Sequence, residues 1–161
     1  MIREMLLSDA PRILEIYEMG ISTRNATFET AVPLWEEWDG NHHGHSRFVY
    51  CEDGKVVGWV AVSPVSTRRA YAGAAEISLY VDVNCSGRGI GTALMNKVIQ
   101  SSEAYGIWTL YSSIFPENLA SIAIHRACGF RLVGVREKIA CLDGKWRDTV
   151  IMERRSKIVG V

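Results

Sequence analysis

Apolar and polar residues change their spacing several times along the chain, and each change marks an element. In SDAPRILEIYEMG, Ile13, Leu14, Ile16 and Tyr17 fall on one helical stripe; Ser8 or Asp9 can cap it, and Pro11 is tolerated in its first turn. MIREML ahead of it can form a first strand. ISTRNATFET is polar apart from Phe28 and reads as loop, and Pro33 opens a second helix within PLWEEWDGNHH. The period then falls to two. RFVYCEDGKVVGWVAVSPV reads as a hairpin turning at Asp53-Gly54. AEISLYVDV alternates cleanly, with Glu76, Ser78, Tyr80 and Asp82 on one face and Ile77, Leu79, Val81 and Val83 on the other.

A helix is expected from about Ile90 to Tyr105, with Gly106 as its C-cap, followed by the strand IWTLYSSIF, which Pro116 ends. Asn118 can cap the helix LASIAIHRA, which Gly129 stops. RLVGVREKIAC and KWRDTVIMER close the chain as a second hairpin around Asp143-Gly144. Hairpins early and late with crossovers between them predict a mixed sheet covered by helices, neither all-parallel nor a bundle. No internal repeat or low-complexity linker interrupts the order, so residues 1–161 are expected to be one domain.

Composition narrows the function classes. Lysine plus arginine equals aspartate plus glutamate at 18 each, which leaves no electrostatic footprint for nucleic acid but allows a local anion site. No stretch approaches the roughly 20 apolar residues of a membrane-spanning helix, and the N-terminus carries no signal-like apolar region. Cys51, Cys85, Cys128 and Cys141 show no paired spacing, so reduced thiols in a cytoplasmic protein are expected, packed rather than nucleophilic. His42, His43 and His45 cluster without a suitably spaced fourth ligand, so no metal is expected.

The candidate chemistry starts at NCSGRGIGTALMNKVIQ, where Gly87, Gly89 and Gly91 alternate just ahead of a helix. No Lys-Ser or Lys-Thr pair follows, which excludes a Walker A loop, and the third glycine comes one place early for a dinucleotide fingerprint. A plain turn and a cradle for a pyrophosphate remain. In the cradle, backbone N–H groups from 86 to 91 meet a helix N-terminus, glycines at 89 and 91 admit the ligand, and Arg88 adds charge.

This segment resembles the [QR]xxGxG acetyl-CoA motif of the GNAT acetyltransferases, matching at Gly89 and Gly91, with Ser86 where the family has Gln or Arg. PENLASIAIHRACGF resembles the family's later motif, an Asn followed by a short helix ending in [YH]xxxGF. TFE at 27–29, SPVSTRRAY at 63–71, AAEISLYV with Glu76, and GKWRD near the end resemble the phosphinothricin and methionine-sulfone acetyltransferase branch. The resemblance covers nearly the whole length. It implies an α+β GNAT fold: a central mixed, mostly antiparallel twisted sheet flanked by helices on both faces. It also implies acetyl-CoA as cosubstrate, a small amino-acid-like amine as acceptor, and a homodimer.

Residue by residue, the resemblance places coenzyme A on the strand residues Leu79, Tyr80, Val81 and Val83. The cradle would use Ser86, Gly87, Arg88, Gly89, Ile90, Gly91 and Thr92, and the pantetheine arm would meet Asn118 and Ser121. Glu76 matches the family's acidic general base, and a cleft carboxylate can have its pKa raised toward neutrality. His125 stands where relatives carry a tyrosine near the cofactor sulfur, suiting proton donation to sulfur or an acid/base role shared with Glu76. Phe28, Glu29, Arg68 and Arg69, with Glu76, are the expected acceptor site, the arginines offering bidentate binding to a carboxylate. Trp146 and Asp148 either touch substrate or brace the last hairpin. The rival readings are another acceptor (polyamine, aminoglycoside or protein N-terminus) and a non-catalytic acyl-CoA sensor.

Overall fold

A computed structural model describes all 161 residues. Seven strands form one sheet in the order β1-β2-β3-β4-β5-β7-β6, comprising β1 (Ile2–Glu4), β2 (Phe48–Glu52), β3 (Lys55–Pro64), β4 (Ala74–Val81), β5 (Thr109–Ile114), β6 (Arg131–Leu142) and β7 (Lys145–Arg155). Every neighbouring pair is antiparallel except β4 and β5. Four α-helices cover it: α1 (Ala10–Ser22), α2 (Trp35–Asn41), α3 (Ile90–Ala104) and α4 (Leu119–Ala127). The mixed, mostly antiparallel sheet expected from the pattern is present.

The turns follow their residue chemistry. Asp53-Gly54 and Asp143-Gly144 both hold left-handed backbone, which matches the twist of the strands they join. Asn118 caps α4, its Oδ1 accepting from the Ser121 N–H at 3.2 Å. Asp9 is a correction. It sits at the cap position of α1, but its carboxylate turns back to take two bonds from Arg3 at 2.7 and 2.8 Å and one from the Leu6 N–H at 2.8 Å. A charged guanidinium offers it more than a helix N–H does.

Two cores form, one on each face. Ile13 and Ile16 of α1 and Trp38 of α2 pack on Val49, Trp59 and Ala61. On the other face Leu94, Met95 and Val98 of α3 pack on Val60, Val62, Ala75 and Ile77. β3 therefore has apolar residues on both sides, which explains its unbroken hydrophobic run. Each fully buried aliphatic or aromatic side chain contributes about 1.5–3 kcal/mol, so these two layers set the positions of everything between them. β4 ends at Val81, two residues before the alternating pattern does. Asp82 leaves the sheet, ion-pairs with Arg12 and accepts the Asn84 N–H at 2.9 Å, turning the chain into a short 3-10 segment.

Candidate active site

The site begins where the sheet opens. β4 and β5 pair only over Ala74–Glu76 and Thr109–Tyr111, although β4 continues to Val81 and β5 to Ile114. β5 stays bonded to β7 through Ile114, so it leaves with that wing of the sheet while β4 stays with β3. A cleft of about 480 Å³ occupies the gap. The Asp82 N–H donates to the Val57 carbonyl at 2.8 Å, so the main-chain groups of even-numbered β4 residues face β3. Those of Leu79 and Val81 consequently face the open side, without a strand to bond. Tyr80 is a correction to the expected cofactor set: its main chain faces β3, and its ring packs on Trp59 at 5.0 Å and Tyr17 at 4.9 Å.

Alternation divides the cleft between the two faces of the sheet. Glu76 shares the α1 and α2 face with Tyr111, whose hydroxyl donates to Glu76 Oε2 at 3.1 Å. Burial raises the Glu76 carboxyl above its usual range, an effect reduced by the Tyr111 hydrogen bond and the charge of Arg136. Burial and the neighbouring Glu76 push Tyr111 up to about 12, so it remains a donor. Phe28 packs edge-on against Phe115 at 4.9 Å, and the segment around it is tied down by the bond from Asn118 Nδ2 to the Asn25 carbonyl at 3.1 Å. Glu29 lines the same cleft.

His125 lies on the opposite face, on α4. Its Nδ1 is 2.7 Å from the Ser121 carbonyl and its Nε2 is 2.7 Å from Ser112 Oγ. A carbonyl only accepts, so the ring proton sits on Nδ1, and Nε2 accepts from the Ser112 hydroxyl. Burial lowers the pKa of His125, with the Ser121 carbonyl opposing the shift, and the ring packs edge-on to Phe130 at 4.9 Å. A neutral, doubly bonded imidazole follows. Because Tyr111 and Ser112 are consecutive on β5, Glu76 and His125 belong to opposite sides of the sheet.

The glycine segment is shaped for an anion. Gly87 and Gly89 hold left-handed backbone at φ +77° and +78°, and a Cβ at either would point into open space. Gly89 caps α3, whose first-turn N–H groups at Ile90, Gly91 and Thr92 lack intrahelical acceptors. The cradle and the open β4 edge both fit a pyrophosphate-bearing, amide-containing chain such as coenzyme A. Gly91 has a different task from the one expected: a Cβ there would stand 2.8 Å from Ile124 Cδ1, so the glycine lets α3 and α4 approach. Ser86 donates to the Val83 carbonyl at 3.1 Å, and Arg88 pairs with Glu52 at 3.0 Å. Both side chains are engaged locally.

Arg68 and Arg69 are the main correction. Both are exposed, Arg68 lies over the Tyr71 ring at 5.6 Å, and neither lines the cleft. Arg136 of β6 lines it instead, with Tyr111, Ser112 and Thr149. Period two in TLYSSI already separated Tyr111 from Ser112, but nothing local named their neighbours. Asp148 Oδ1 accepts the Lys138 N–H at 2.8 Å, so it braces the hairpin, while Trp146 is 61 % exposed. His42 stacks on Trp38 and His45 on Tyr105. The four cysteines are free, and burial raises the Cys128 thiol.

Comparisons with known proteins agree with this geometry. Residues 10–130 match the Acetyltransferase (GNAT) family. The chain is 32% identical to a phosphinothricin N-acetyltransferase of Alcaligenes faecalis, covering 91% of this chain and 77% of that one. It is 28% identical to an L-methionine sulfoximine/L-methionine sulfone acetyltransferase of Pseudomonas aeruginosa, over 94% and 92% of the two chains. A phosphinothricin acetyltransferase from Sinorhizobium meliloti, solved in complex with acetyl-CoA, superposes with a TM-score of 0.90 at 30% identity, covering 99% of this chain and 90% of that one.

Proposed function

The chain belongs to the GNAT acetyltransferase family and is an acetyl-CoA-dependent N-acetyltransferase; we propose that its acceptor is the α-amino group of a small amino acid of the phosphinothricin or methionine-sulfone type. The observation that carries the reading is the split between β4 and β5, which opens an unpaired strand edge toward one face and a raised-pKa carboxylate toward the other. The cradle at Gly87–Thr92 holds the pyrophosphate, and the free main-chain groups of Leu79 and Val81 hold the pantetheine arm. Val83, Asn118 and Ser121 border that path. Bound acetyl-CoA supplies the activated acetyl group.

Glu76 acts as the general base. Burial brings its proton affinity closer to that of an amine, and Tyr111 holds the carboxylate in place. The amine nitrogen loses its proton to Glu76 and bonds to the acetyl carbon, and the carbon–sulfur bond breaks. His125 has its own proton committed to Ser121, so it serves the sulfur side through Ser112. That hydroxyl hydrogen-bonds the sulfur as charge develops, and the proton taken by Glu76 returns to sulfur through water. Holding both reactants in one cleft supplies much of the acceleration.

The 161 residues act as one cytoplasmic domain that pairs into a homodimer. Support for pairing comes from the edge strand β6 and the neighbouring hairpin, where Val133, Val135, Ile139 and Trp146 leave apolar surface in water. Thiol release from acetyl-CoA tests the reading against methionine sulfone, phosphinothricin, spermidine, an aminoglycoside and a peptide. Turnover confined to the amino acids supports it. Tight coenzyme A binding with no turnover on any amine would move the protein to the sensor class.

A further inference from the structure

The cleft contains one cation for which the reaction as described has no use. Arg136 lines it, forms no ion pair within the protein, and is the only arginine or lysine on its wall. Directly across the β6–β7 ladder is Thr149. That residue is 3 % exposed, lines the same cleft, and its hydroxyl finds no hydrogen-bond partner in the protein. A buried polar group left unpaired is unfavourable, which makes it a position to explain by a ligand.

Alternation settles which face the two residues use. Val150 and Met152 of β7 enter the core beneath α3, so Thr149 points to the opposite face. Arg136, directly opposite it in the antiparallel register, points the same way. That is the face of Glu76 and Tyr111. β6 also departs from regular pairing just here, advancing four residues from Arg136 to Ala140 while β7 moves two from Thr149 to Arg147. The bulge is pinned by the Lys138 N–H on Asp148, and bulges of this kind re-aim side chains.

We infer that Arg136 and Thr149 form the seat for the acceptor's α-carboxylate, facing the base Glu76 that receives its amine. The inference rests on the N-acetyltransferase reading and adds how an amino acid is told from a simple amine. A guanidinium offers parallel N–H donors to a carboxylate, and the threonine hydroxyl adds a third donor. Glu76 and Arg136 are near enough for the arginine charge to stabilise the carboxylate, so the cleft presents opposite charges to a zwitterion. A polyamine would leave Arg136 unpaired. Arg68 and Arg69, outside the cleft, take no part.

The test measures steady-state kinetics with methionine sulfone and with its carboxamide, which keeps the amine and loses the carboxylate. Arg136→Ala should raise the KM for methionine sulfone roughly 10- to 100-fold, with a much smaller change in kcat. Thr149→Val should raise it by about 3- to 10-fold, and Thr149→Ser should restore it. Neither arginine nor threonine variant should change the KM for the carboxamide, and both should keep the thermal shift given by coenzyme A. Arg136→Lys should recover part of the loss. An unchanged KM for methionine sulfone in Arg136→Ala, or equal losses for the acid and the amide, would overturn the seat alone. A parent protein that binds coenzyme A and acetylates no amino acid would instead overturn the reading on which it rests.

Discussion

The two walls of the cleft are made from the same pair of strands, and they differ in how their polar groups are committed. On the α4 side, every hydrogen-bonding atom of the His125 ring has a partner inside the protein, and the residue is neutral and fixed. On the α1 side, Glu76 has one protein partner, Arg136 none from an acidic side chain, and Thr149 an idle hydroxyl. Satisfied groups hold a shape; unsatisfied groups wait for a ligand. The wall beside the cofactor is therefore built for positioning and the acceptor wall for exchange of protons and charge.

Removing the base should break that division most severely. Glu76→Gln should lower kcat by about 100- to 10,000-fold, with coenzyme A binding retained. In the parent, activity should fall with acid at a pH above the ordinary carboxylate range, because the carboxyl is raised; that limb should vanish from the residual rate of the variant. Equal limbs in both would assign the base elsewhere.

Gly91→Val tests the packing that holds the cofactor wall. Its added carbons would crowd Ile124 and Leu79, costing about 1–3 kcal/mol in a denaturation experiment. Enlarging Gly89, whose Cβ would meet nothing, should harm coenzyme A binding more than its packing. Opposite behaviour would exchange the roles assigned to the two glycines. Ser112→Ala should be milder, lowering kcat by roughly two- to tenfold through the loss of one hydrogen bond.

The histidine also links this wall to acid stability. Its folded-state pKa lies below the unfolded value near 6.5, so unfolded chain binds the proton first as pH falls. Stability from the neutral ring is complete above about pH 6.5 and should be lost progressively below it, with His42, His43 and His45 adding in the same direction. Urea midpoints between pH 7 and 5 would show this, and a flat profile would remove the buried neutral histidine. The smallest effect is expected outside both walls: Arg68→Ala and Arg69→Ala should leave the acceptor KM unchanged.

How much could be read before folding depends on how far each signal reaches along the chain. Asp53-Gly54, Asn118 and the alternation of AEISLYVDV act within a few residues, where backbone angles, caps and face parity are decided, so the elements and their polarity were legible. The acetyl-CoA motif was legible for the same reason, since its donors belong to one turn and the helix that follows. The β4–β5 split was not, because parity tells which face a side chain takes but not which strand lies beside it or where pairing stops. Asp82 shows the limit at short range: its pattern continued the strand, and an ion pair to Arg12, 70 positions away, bent it out. Arg68 and Arg69 were chemically suited to a carboxylate and spatially wrong, while Arg136 and Thr149 meet only through the register of the last hairpin. Local sequence determined the parts and the chemistry each could carry. Long-range pairing and packing alone decided which parts face one another, because those contacts form between residues that share no local signal.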